Sequence, residues 1–328
     1  MSSDSVSPQD DCVRPLEEKD EKIVKMLIGQ GVMEGLAKAN NKFITNPLII
    51  LIILILGLYL NNYMSFKVDS SNILTYITII IGPCLILLPI LGLIEFIHRP
   101  KFSSNLRKII GSLDLIKLFE YYNNNNNNNN NQEKEKENSG WVFIHKNEII
   151  GIILIDGLQA GKELNSVLGE EEGEISNNKN LFKQIENDQL QNSNLRKRNN
   201  NNNNNSLKSK SENVKEKENL IEIRHFDIDS PYRKIETGVS NDLLIKVLEN
   251  YFNKSSKVDK IIIQVKPFSN WQELILSEFG FKKLKLDQLE RLKLNQPKRI
   301  GLLGWKGFWM MIEKKDWLER RDQIFASS

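Results

Sequence analysis

The sequence has little of what disulfide frameworks and metal sites require. Its 328 residues include two cysteines, Cys12 and Cys84, and three histidines, His98, His145 and His225. Cys84 lies inside an apolar run and Cys12 lies near the N-terminus, so we expect no disulfide framework. The cysteines and histidines do not cluster with the spacing of zinc ligands, so we expect no metal cofactor.

The chain also lacks a strong excess of either charge. Its formal net charge is +3 at pH 7, which gives no reason to expect nucleic acid as a partner. The short cluster Arg196-Lys197-Arg198 could touch anionic lipid or a targeting receptor. Its polar surroundings favour the simpler interpretation that these charges are solvated.

Large segments have almost no apolar residues. Residues 123–131 and 199–205 are unbroken asparagine, 133–138 are mostly Glu and Lys, and 170–218 are mostly Asn, Lys, Glu, Ser and Gln. Segments of this composition bury too little apolar surface to offset the entropy lost on ordering. We predict that they are disordered inserts in the loops of a smaller fold.

Two long apolar runs occupy residues 43–64 and 73–97. The second run can cross about 30 Å of hydrocarbon as a helix, and the first reaches spanning length with the aromatic residues at its ends. The alternative is two buried core helices, but helices apolar on all sides are uncommon in so small a soluble protein. We predict an integral membrane protein with two spans, held in the lipid bilayer by a two-helix hairpin at 43–98.

Basic residues flank the two runs, and the linker between them is nearly neutral. Three lysines precede the first run and four basic residues follow the second: Lys25, Lys38, Lys42, Arg99, Lys101, Arg107 and Lys108. This asymmetry predicts that both termini are cytosolic. The segment before the first run does not resemble a signal peptide. Transport is weakly supported, because Glu95, the candidate for an intramembrane charge, lies at the end of its run.

Outside the apolar runs, strand patterns alternate with helix patterns. In the N-terminal part we predict a first strand after Cys12, a helix with Asp20 as a plausible N-cap, and a β-hairpin at 141–155 that turns at Lys146-Asn147. In the C-terminal part we predict strands at 220–228, 259–265 and 307–312 and helices at 243–252 and 271–279. Gly280 closes the last of these helices. This order predicts a mixed α/β fold in which helices cover a central sheet.

Residues 232–244 form a basic, glycine-containing connection from a predicted strand into a predicted helix. The first N–H groups of a helix lack intrahelical partners, and the helix dipole favours an anion there. The connection therefore predicts a phosphate-binding site, and the alternative is an ordinary strand–loop–helix connection with one glycine.

The order of the elements resembles the GNAT superfamily of acetyl-CoA-dependent N-acetyltransferases. Residues 13–20 are similar to that family's opening strand, 140–158 to its second and third strands, 225–233 to its fourth strand and following loop, and 279–283 to its Gly-Phe-Lys segment. The apolar hairpin after the first strand and helix is similar to the camello-like branch, which includes membrane-bound cysteine-S-conjugate N-acetyltransferases. The resemblance implies a GNAT-like acyltransferase fold with an inserted transmembrane hairpin and acetyl-CoA as co-substrate.

The family's pyrophosphate loop has the form Arg/Gln-x-x-Gly-x-Gly/Ala, which Arg233 and Gly238 match if Ile235-Glu236 is an insertion. The cofactor-binding residues that the resemblance implies are Phe226, Asp227, Ile228, Arg233, Lys234, Gly238, Val239, Ser240 and Asn241. Leu276 stands where many members have a tyrosine that protonates the CoA thiolate.

Glu222 and His225 are candidates for a general base on the fourth strand. The alternatives are a solvent-exposed strand glutamate and a half-buried histidine whose hydrogen bonds are satisfied.

These inferences lead to a membrane-anchored N-acetyltransferase, with a catalytically inactive membrane adaptor or chaperone as the alternative. The acceptor amine stays open between a small molecule and a protein lysine, and the family resemblance implies the endoplasmic reticulum. We divide the chain into an N-terminal strand and helix (1–42), the hairpin (43–98), a juxtamembrane helix (99–122), an insert (123–139), a β-hairpin (140–158), a second insert (159–219), the cofactor-binding part (220–315) and a tail (316–328).

Overall fold

The structure, a computed structural model, describes residues 11–64, 73–123, 138–167, 220–254 and 258–327. The predicted disordered tracts lie mainly at 124–137 and 168–219, outside the described residues. Within the described residues, helices pack on both faces of a central sheet, and two long apolar helices pack against each other. The predicted mixed α/β class is confirmed.

The elements in chain order are as follows. The first part contains β1 (Cys12–Pro15), α1 (Glu21–Ile44), α2 (Pro47–Tyr63), α3 (Ile73–Ile110), α4 (Leu113–Ile116), α5 (Leu118–Tyr122), β2 (Ser139–His145) and β3 (Glu148–Asp156). The second part contains β4 (Leu220–Ile228), α6 (Val239–Lys254), β5 (Lys260–Val265), α7 (Asn270–Glu278), β6 (Lys282–Lys283), α8 (Leu286–Arg291), β7 (Arg299–Ile300), β8 (Trp305–Lys306), β9 (Phe308–Glu313) and α9 (Lys314–Ser327).

The main sheet has seven strands in the order β1-β2-β3-β4-β5-β9-β6. β4 and β5 pair in parallel, and the other neighbouring strands pair antiparallel. β7 and β8 form a separate two-stranded ribbon. The parallel pair is connected through α6, as the crossover between parallel strands requires.

Helices cover the two faces of the sheet with separate apolar clusters. One face packs against α6, α7 and α9, where Leu243, Leu248 and Trp317 are buried. The other face packs against α1, α4 and α5, where Ile28 and Leu118 are buried. Each helix therefore buries one apolar stripe, as the spacing of its apolar residues predicts.

The predicted hairpin turn is confirmed at Lys146 and Asn147. Both residues have positive φ, 49° and 66°, and join β2 to β3 directly. Two consecutive residues of positive φ are typical of a type I′ turn, whose twist matches that of the paired strands. Glycine and asparagine tolerate this conformation better than other residues.

We expect Asn147→Gly to raise the free energy of unfolding by up to about 1 kcal/mol, because glycine takes positive φ without steric cost. Asn147→Ala is the matched control and should lower it by about 1 kcal/mol. Denaturation midpoints of the purified chain in detergent measure both. An Ala variant as stable as the Gly variant would contradict this account of the turn.

Asp20 does not cap α1 in the expected way. Its carboxylate accepts two hydrogen bonds from the guanidinium of Arg14 at 2.6 and 2.8 Å and one from the backbone N–H of Glu17 at 2.9 Å. Asp20 makes no side-chain bond to the first turn of α1. The buried carboxylate is better satisfied by a cation and an N–H group outside the helix, so it joins β1 to α1 instead.

The two apolar helices cross closely at small residues. A β-carbon on Gly57 of α2 would overlap the backbone of Pro83 in α3, and one on Gly82 would overlap the carbonyl oxygen of Gly57. Close contact at glycines is typical of packed helices in membranes. Most of the large apolar side chains on the described parts of both helices are exposed, including Leu51, Tyr63, Leu88 and Phe96.

By length and composition, one described helix, Ile80–Ile110, could cross a membrane. A second span results only if Glu18–Ile44 and Pro47–Tyr63, which meet at a bend of 59°, act together. One or two such helices are weak evidence for a membrane protein, so the predicted pair of spans stays a prediction.

Three segments defined from the sequence contain more structure than their names indicate: the juxtamembrane helix (99–122), the second insert (159–219) and the tail (316–328). Residues 99–122 hold the end of α3 together with α4 and α5, and residues 316–327 lie in α9, where Trp317 is fully buried. At the start of the second insert, Ser166 forms a bridge with Ser112.

Candidate functional site

The parallel strands β4 and β5 pair only over their first four residues. Their register runs from Leu220 opposite Lys260 to Ile223 opposite Ile263, and the described chain has no pairing beyond that point. At the same level, Arg224 is skipped in the register between β3 and β4, which marks a β-bulge. A bulge bends its strand. β4 therefore turns away from β5, and a gap opens between their C-terminal ends.

A small, solvent-open cleft lies at this gap. α1 contributes Glu34 and Lys38, β4 contributes Asp227, and the segment after β5 contributes Phe268 and Trp271. α1 approaches β4 closely here because Gly31 has no side chain: a β-carbon would overlap the carboxylate of Asp227. A glycine inside a helix lowers the stability of the helix. The presence of Gly31 in α1 is therefore explained by the close approach of α1 to β4.

The charges in the cleft form pairs. Asp227 accepts from Lys266 Nζ at 3.1 Å, and Glu34 pairs with Lys38 at 2.7 Å and with Arg233. Burial alone would raise the pKa of Glu34, but the hydrogen bonds from Lys38 and Arg233 lower it below its ordinary value. The cleft therefore holds ionised carboxylates and cations that a polar ligand can meet.

Gln272 of α7 contacts β4 beyond its pairing with β5. Its side-chain N–H donates to the carbonyl of Phe226 in β4, beyond the last pairing with β5. Gln272 is 3% exposed, and its Oε1 has no hydrogen-bond partner in the described part of the chain. A buried amide oxygen without a partner is costly, which indicates a place for an N–H donor of a ligand.

The loop after β4 leads into the N-terminus of α6. Gly238 has a φ of +72°, and a β-carbon there would meet nothing within 4 Å. The N–H of Asp242 donates to the carbonyl of Gly238 at 2.9 Å. The N–H groups of Val239, Ser240 and Asn241 precede this first helical bond and lie at the end of α6.

The predicted phosphate contacts differ in how accessible they are. Lys234 is exposed, whereas Arg233 donates to the carbonyl of Ile228 at 2.6 Å, pairs with Glu34 and lies over the ring of Trp271. Val239 and Ser240 are buried. Arg233 is therefore held by the protein itself.

Carboxylates lie near the same helix end. Glu236 and Asp242 are exposed, and burial followed by the charge of Asp11 raises the pKa of Asp242. Negative charge at this position opposes an incoming phosphate. The helix dipole and the side chains thus act in opposite directions.

Glu222 lies in a buried polar network on the α1 face of β4, so the alternative of a solvent-exposed glutamate is wrong. It is 6% exposed and accepts from the N–H of Gly161 at 2.8 Å. Arg224 lies 3.5 Å from Glu222 and 2.6 Å from Asp156. Burial raises the pKa of Glu222 to about 7, assisted by the charges of Asp156 and Asp114 and opposed by Arg224.

His225 belongs to the same network. Its Nε2 lies 3.0 Å from Asp114, which also accepts from the hydroxyl of Tyr122 at 2.9 Å. Burial alone would raise the pKa of Asp114, but His225 and Ser112 lower it to about 2. His225 Nδ1 has no partner in the described part of the chain, so its hydrogen bonds are only half satisfied.

The structure brings Glu222 and His225 together in the network, while Asp227 lies in the cleft itself. Phe226 and Ile228 alternate with these residues and point into the apolar cluster on the opposite face. Sequence reasoning missed Glu34 and Lys38 as cleft residues, and it missed the contact of Gln272 with β4. The glycines of α1 at 29, 31 and 35 were an available signal for close approach.

Leu276, at the position of the family's tyrosine, is fully buried in the apolar cluster around α7. It offers no proton donor to the gap.

We expect Glu222→Gln to remove a component of the pH dependence of stability. A carboxyl whose pKa is raised from 4.5 to about 7 holds its proton more tightly when folded. Its contribution is therefore fully present below about pH 4.5 and is lost as the pH rises through about 7. The difference in unfolding free energy, wild type minus variant, should fall by roughly 3 kcal/mol between about pH 4 and about pH 8.

Denaturation midpoints in detergent over that pH range measure the difference. Glu290→Gln, a change at an exposed carboxylate of α8, is the control and should leave the curve parallel to the wild type. If the stability of Glu222→Gln also runs parallel to that of the wild type over this pH range, the pKa of Glu222 is not raised by folding.

Comparison with known proteins gives only distant structural likenesses. No protein-family model matches the sequence, and no curated protein sequence matches it. An N-acetyltransferase from Staphylococcus aureus Mu50 is 7% identical and superposes with a TM-score of 0.38, over 93% of this chain and 99% of that one.

Two further solved structures are similar at the same level. A GNAT-family acetyltransferase from Staphylococcus aureus Mu50 gives 15% identity and a TM-score of 0.34, over 68% of this chain and 90% of that one. A GNAT-family acetyltransferase from Elizabethkingia anophelis with acetyl-CoA bound gives 13% and 0.28, over 54% and 76%.

Proposed function

We propose that the chain is a membrane-anchored, acetyl-CoA-dependent N-acetyltransferase of the GNAT superfamily, acting on an amine acceptor. The observation that supports this most directly is the end of pairing between β4 and β5 at Ile223, beside the cleft that Asp227 and Trp271 line. A parallel pair that diverges next to a helix N-terminus gives an extended ligand both a slot and an anion site.

The residues of the gap fit the parts of acetyl-CoA. The N–H groups at Val239 to Asn241, with Gly238 and Lys234, would meet the pyrophosphate. The backbone of Phe226 to Ile228 and the Oε1 of Gln272 would meet the amides of the pantetheine arm. The bound co-substrate supplies an activated acetyl thioester, and Arg233, Glu34 and Trp271 shape the adjoining cleft.

The protein's part in the reaction is to position the acceptor amine and to take its proton. Asp227 lines the cleft beside Lys266, and we assign it to the ammonium group of the acceptor. Glu222, with a pKa of about 7, and His225 are buried in the network on the same strand and are proposed as its proton acceptors. Holding the two reactants together supplies much of the acceleration in such a reaction.

The membrane anchor is the second part of the proposal. It rests on the exposed apolar surface of α2 and α3, the close crossing at Gly57 and Gly82, and the basic residues that flank the two runs. We propose two spans with both termini cytosolic, and the endoplasmic reticulum as the location, which the resemblance to the camello-like branch implies. Glu95 pairs with Arg99 at 2.8 Å at the end of the apolar surface, which does not favour a transport pathway.

The alternative function is an inactive GNAT-like membrane adaptor. It is favoured by the retention of Arg233 by Glu34, by the carboxylates of Glu236 and Asp242 near the phosphate site, and by Leu276 in place of a tyrosine. Each of these lowers the expected affinity or turnover for acetyl-CoA. Binding of acetyl-CoA distinguishes the two functions.

We expect Gly238→Asp to weaken acetyl-CoA binding about tenfold, or ~1.4 kcal/mol, relative to Gly238→Asn. The two side chains have nearly the same shape, both residues tolerate positive φ, and the space beside Gly238 is open. The variants therefore differ mainly in a negative charge at the pyrophosphate site. Titration calorimetry of the full chain in detergent measures both constants.

Equal affinities of the two variants, with clear binding by the wild type, would show that the loop is not the phosphate site. Absence of binding by the wild type at millimolar acetyl-CoA would favour the adaptor. Transfer of the acetyl group to a panel of amines, including lysine peptides and small amino compounds, would then identify the acceptor class of a binding-competent chain.

A further inference from the structure

The β7–β8 ribbon lies apart from the main sheet and is fixed to α3. The N–H of Leu302 donates to Nε2 of His98 at 3.2 Å, and the rings of Trp305 and His98 meet edge to face with centroids 5.7 Å apart. His98 is 1% exposed, and its Nδ1 lies 2.7 Å from the side-chain oxygen of Asn40. The ribbon therefore has a defined place along α3.

His98 marks one end of the exposed apolar surface of the helix pair. Two residues before it, Phe96 is 77% exposed, and exposed apolar side chains continue back along α3 to Ile80. One turn after it, Phe102 is buried and packs beside Gly35 of α1. The ribbon is thus attached where the apolar helix pair meets the folded domain.

The tip of the ribbon presents two exposed leucines. Gly301 and Gly304, with φ of +78° and +65°, bracket Leu302 and Leu303 in the turn. These leucines are 49% and 52% exposed, although Trp305 beside them packs inward on Phe268. Adjacent exposed leucines at a tight turn indicate a surface that meets another apolar phase.

Charge and aromatic residues around the tip suit a lipid headgroup layer. Exposed cations lie on the ribbon and on the adjoining ends of α1 and α3: Lys42, Lys101, Arg299 and Lys306. Basic residues near a membrane surface are attracted to anionic headgroups. The rings of Phe43 and Trp305 both meet His98, at the level where aromatic residues concentrate in membrane proteins.

We propose that the ribbon Arg299–Lys306 is a second membrane contact, whose Leu302-Leu303 tip enters the headgroup layer of the bilayer. This inference rests on the membrane anchor of the proposed function. Its consequence concerns the cleft, because Phe268 lines the cleft and meets Trp305 edge to face with ring centroids 5.0 Å apart. The contact holds the cleft next to the membrane surface, where an amine presented by a membrane component can reach it.

Site-specific fluorescence tests the contact. Both native cysteines of the full chain are first removed with Cys12→Ala and Cys84→Ala. A single cysteine is then introduced with Leu302→Cys and labelled with an environment-sensitive dye. The labelled protein is reconstituted in phosphatidylcholine–phosphatidylserine vesicles. Leu303→Cys is a second tip position. Leu318→Cys is the matched control, because Leu318 is 45% exposed and lies in α9, which begins beside Asp259 at the far end of the sheet.

In a separate variant with Cys12→Ala alone, the dye is attached to native Cys84, which is exposed within α3. This label measures whether α3 lies in the bilayer. We expect a spin-labelled lipid with its quencher near the headgroups to remove much of the emission from the tip labels and none from Leu318→Cys. A lipid with a deep quencher should act most strongly on the Cys84 label. Quenching at Cys84 without quenching at either tip position would overturn the ribbon contact and leave the anchor standing.

Absence of quenching at Cys84 would overturn the anchor and the ribbon contact together. Equal quenching at the tip and at Leu318→Cys would also overturn the proposal, because the folded domain would then lie on the membrane without a specific contact at the ribbon. Acetyl-CoA binding, measured on the same preparations, stays a separate test of the enzymatic part.

Discussion

The position of Arg224 is the constraint on which the site depends. Its guanidinium donates to Asp156 at 2.6 Å and to the carbonyls of Gln159 and Lys162 at 2.9 and 3.0 Å. Burial would lower the pKa of Arg224, but Glu222 and Asp156 raise it, so the charge is retained. Because Arg224 is the bulged residue, these contacts hold β4 to β3 at the level where β4 leaves β5. The gap, the cleft and the loop into α6 all follow from that departure.

The buried network around Arg224 serves more than the strand it lies on. Asp114 and Tyr121 come from the short helices that follow α3, and they bond His225 and Asp156. Burial and the charge of Asp156 raise the pKa of Tyr121, so it stays a neutral donor. A buried charge is stable only with partners, and here the partners come from the chain that leaves the apolar helices. The network therefore joins the proposed anchor to the strand that lines the cleft.

Most elements of the domain could be predicted from the sequence because their signals are local. β4 has the bounds that its alternating pattern predicts, the β2–β3 turn lies at Lys146 and Asn147, and α7 is closed by Gly280 with a φ of +97°. The role of Asp20 was harder to foresee, because its partner Arg14 is set by how β1 meets α1. The ribbon at 299–306 had no clear local signal, since each of its strands has two residues.

The sequence by itself determined the long strands of the main sheet, the helices between them, the apolar runs and the glycine at the start of α6, because backbone conformation and hydrophobic periodicity depend on neighbouring residues. The tertiary structure decided which polar groups meet. It placed Asp227 in the cleft and Glu222 in a network, and it joined Gln272 of α7 to the carbonyl of Phe226 in β4. Such pairings join residues far apart in the chain, and their energies depend on burial and distance, which no local pattern encodes.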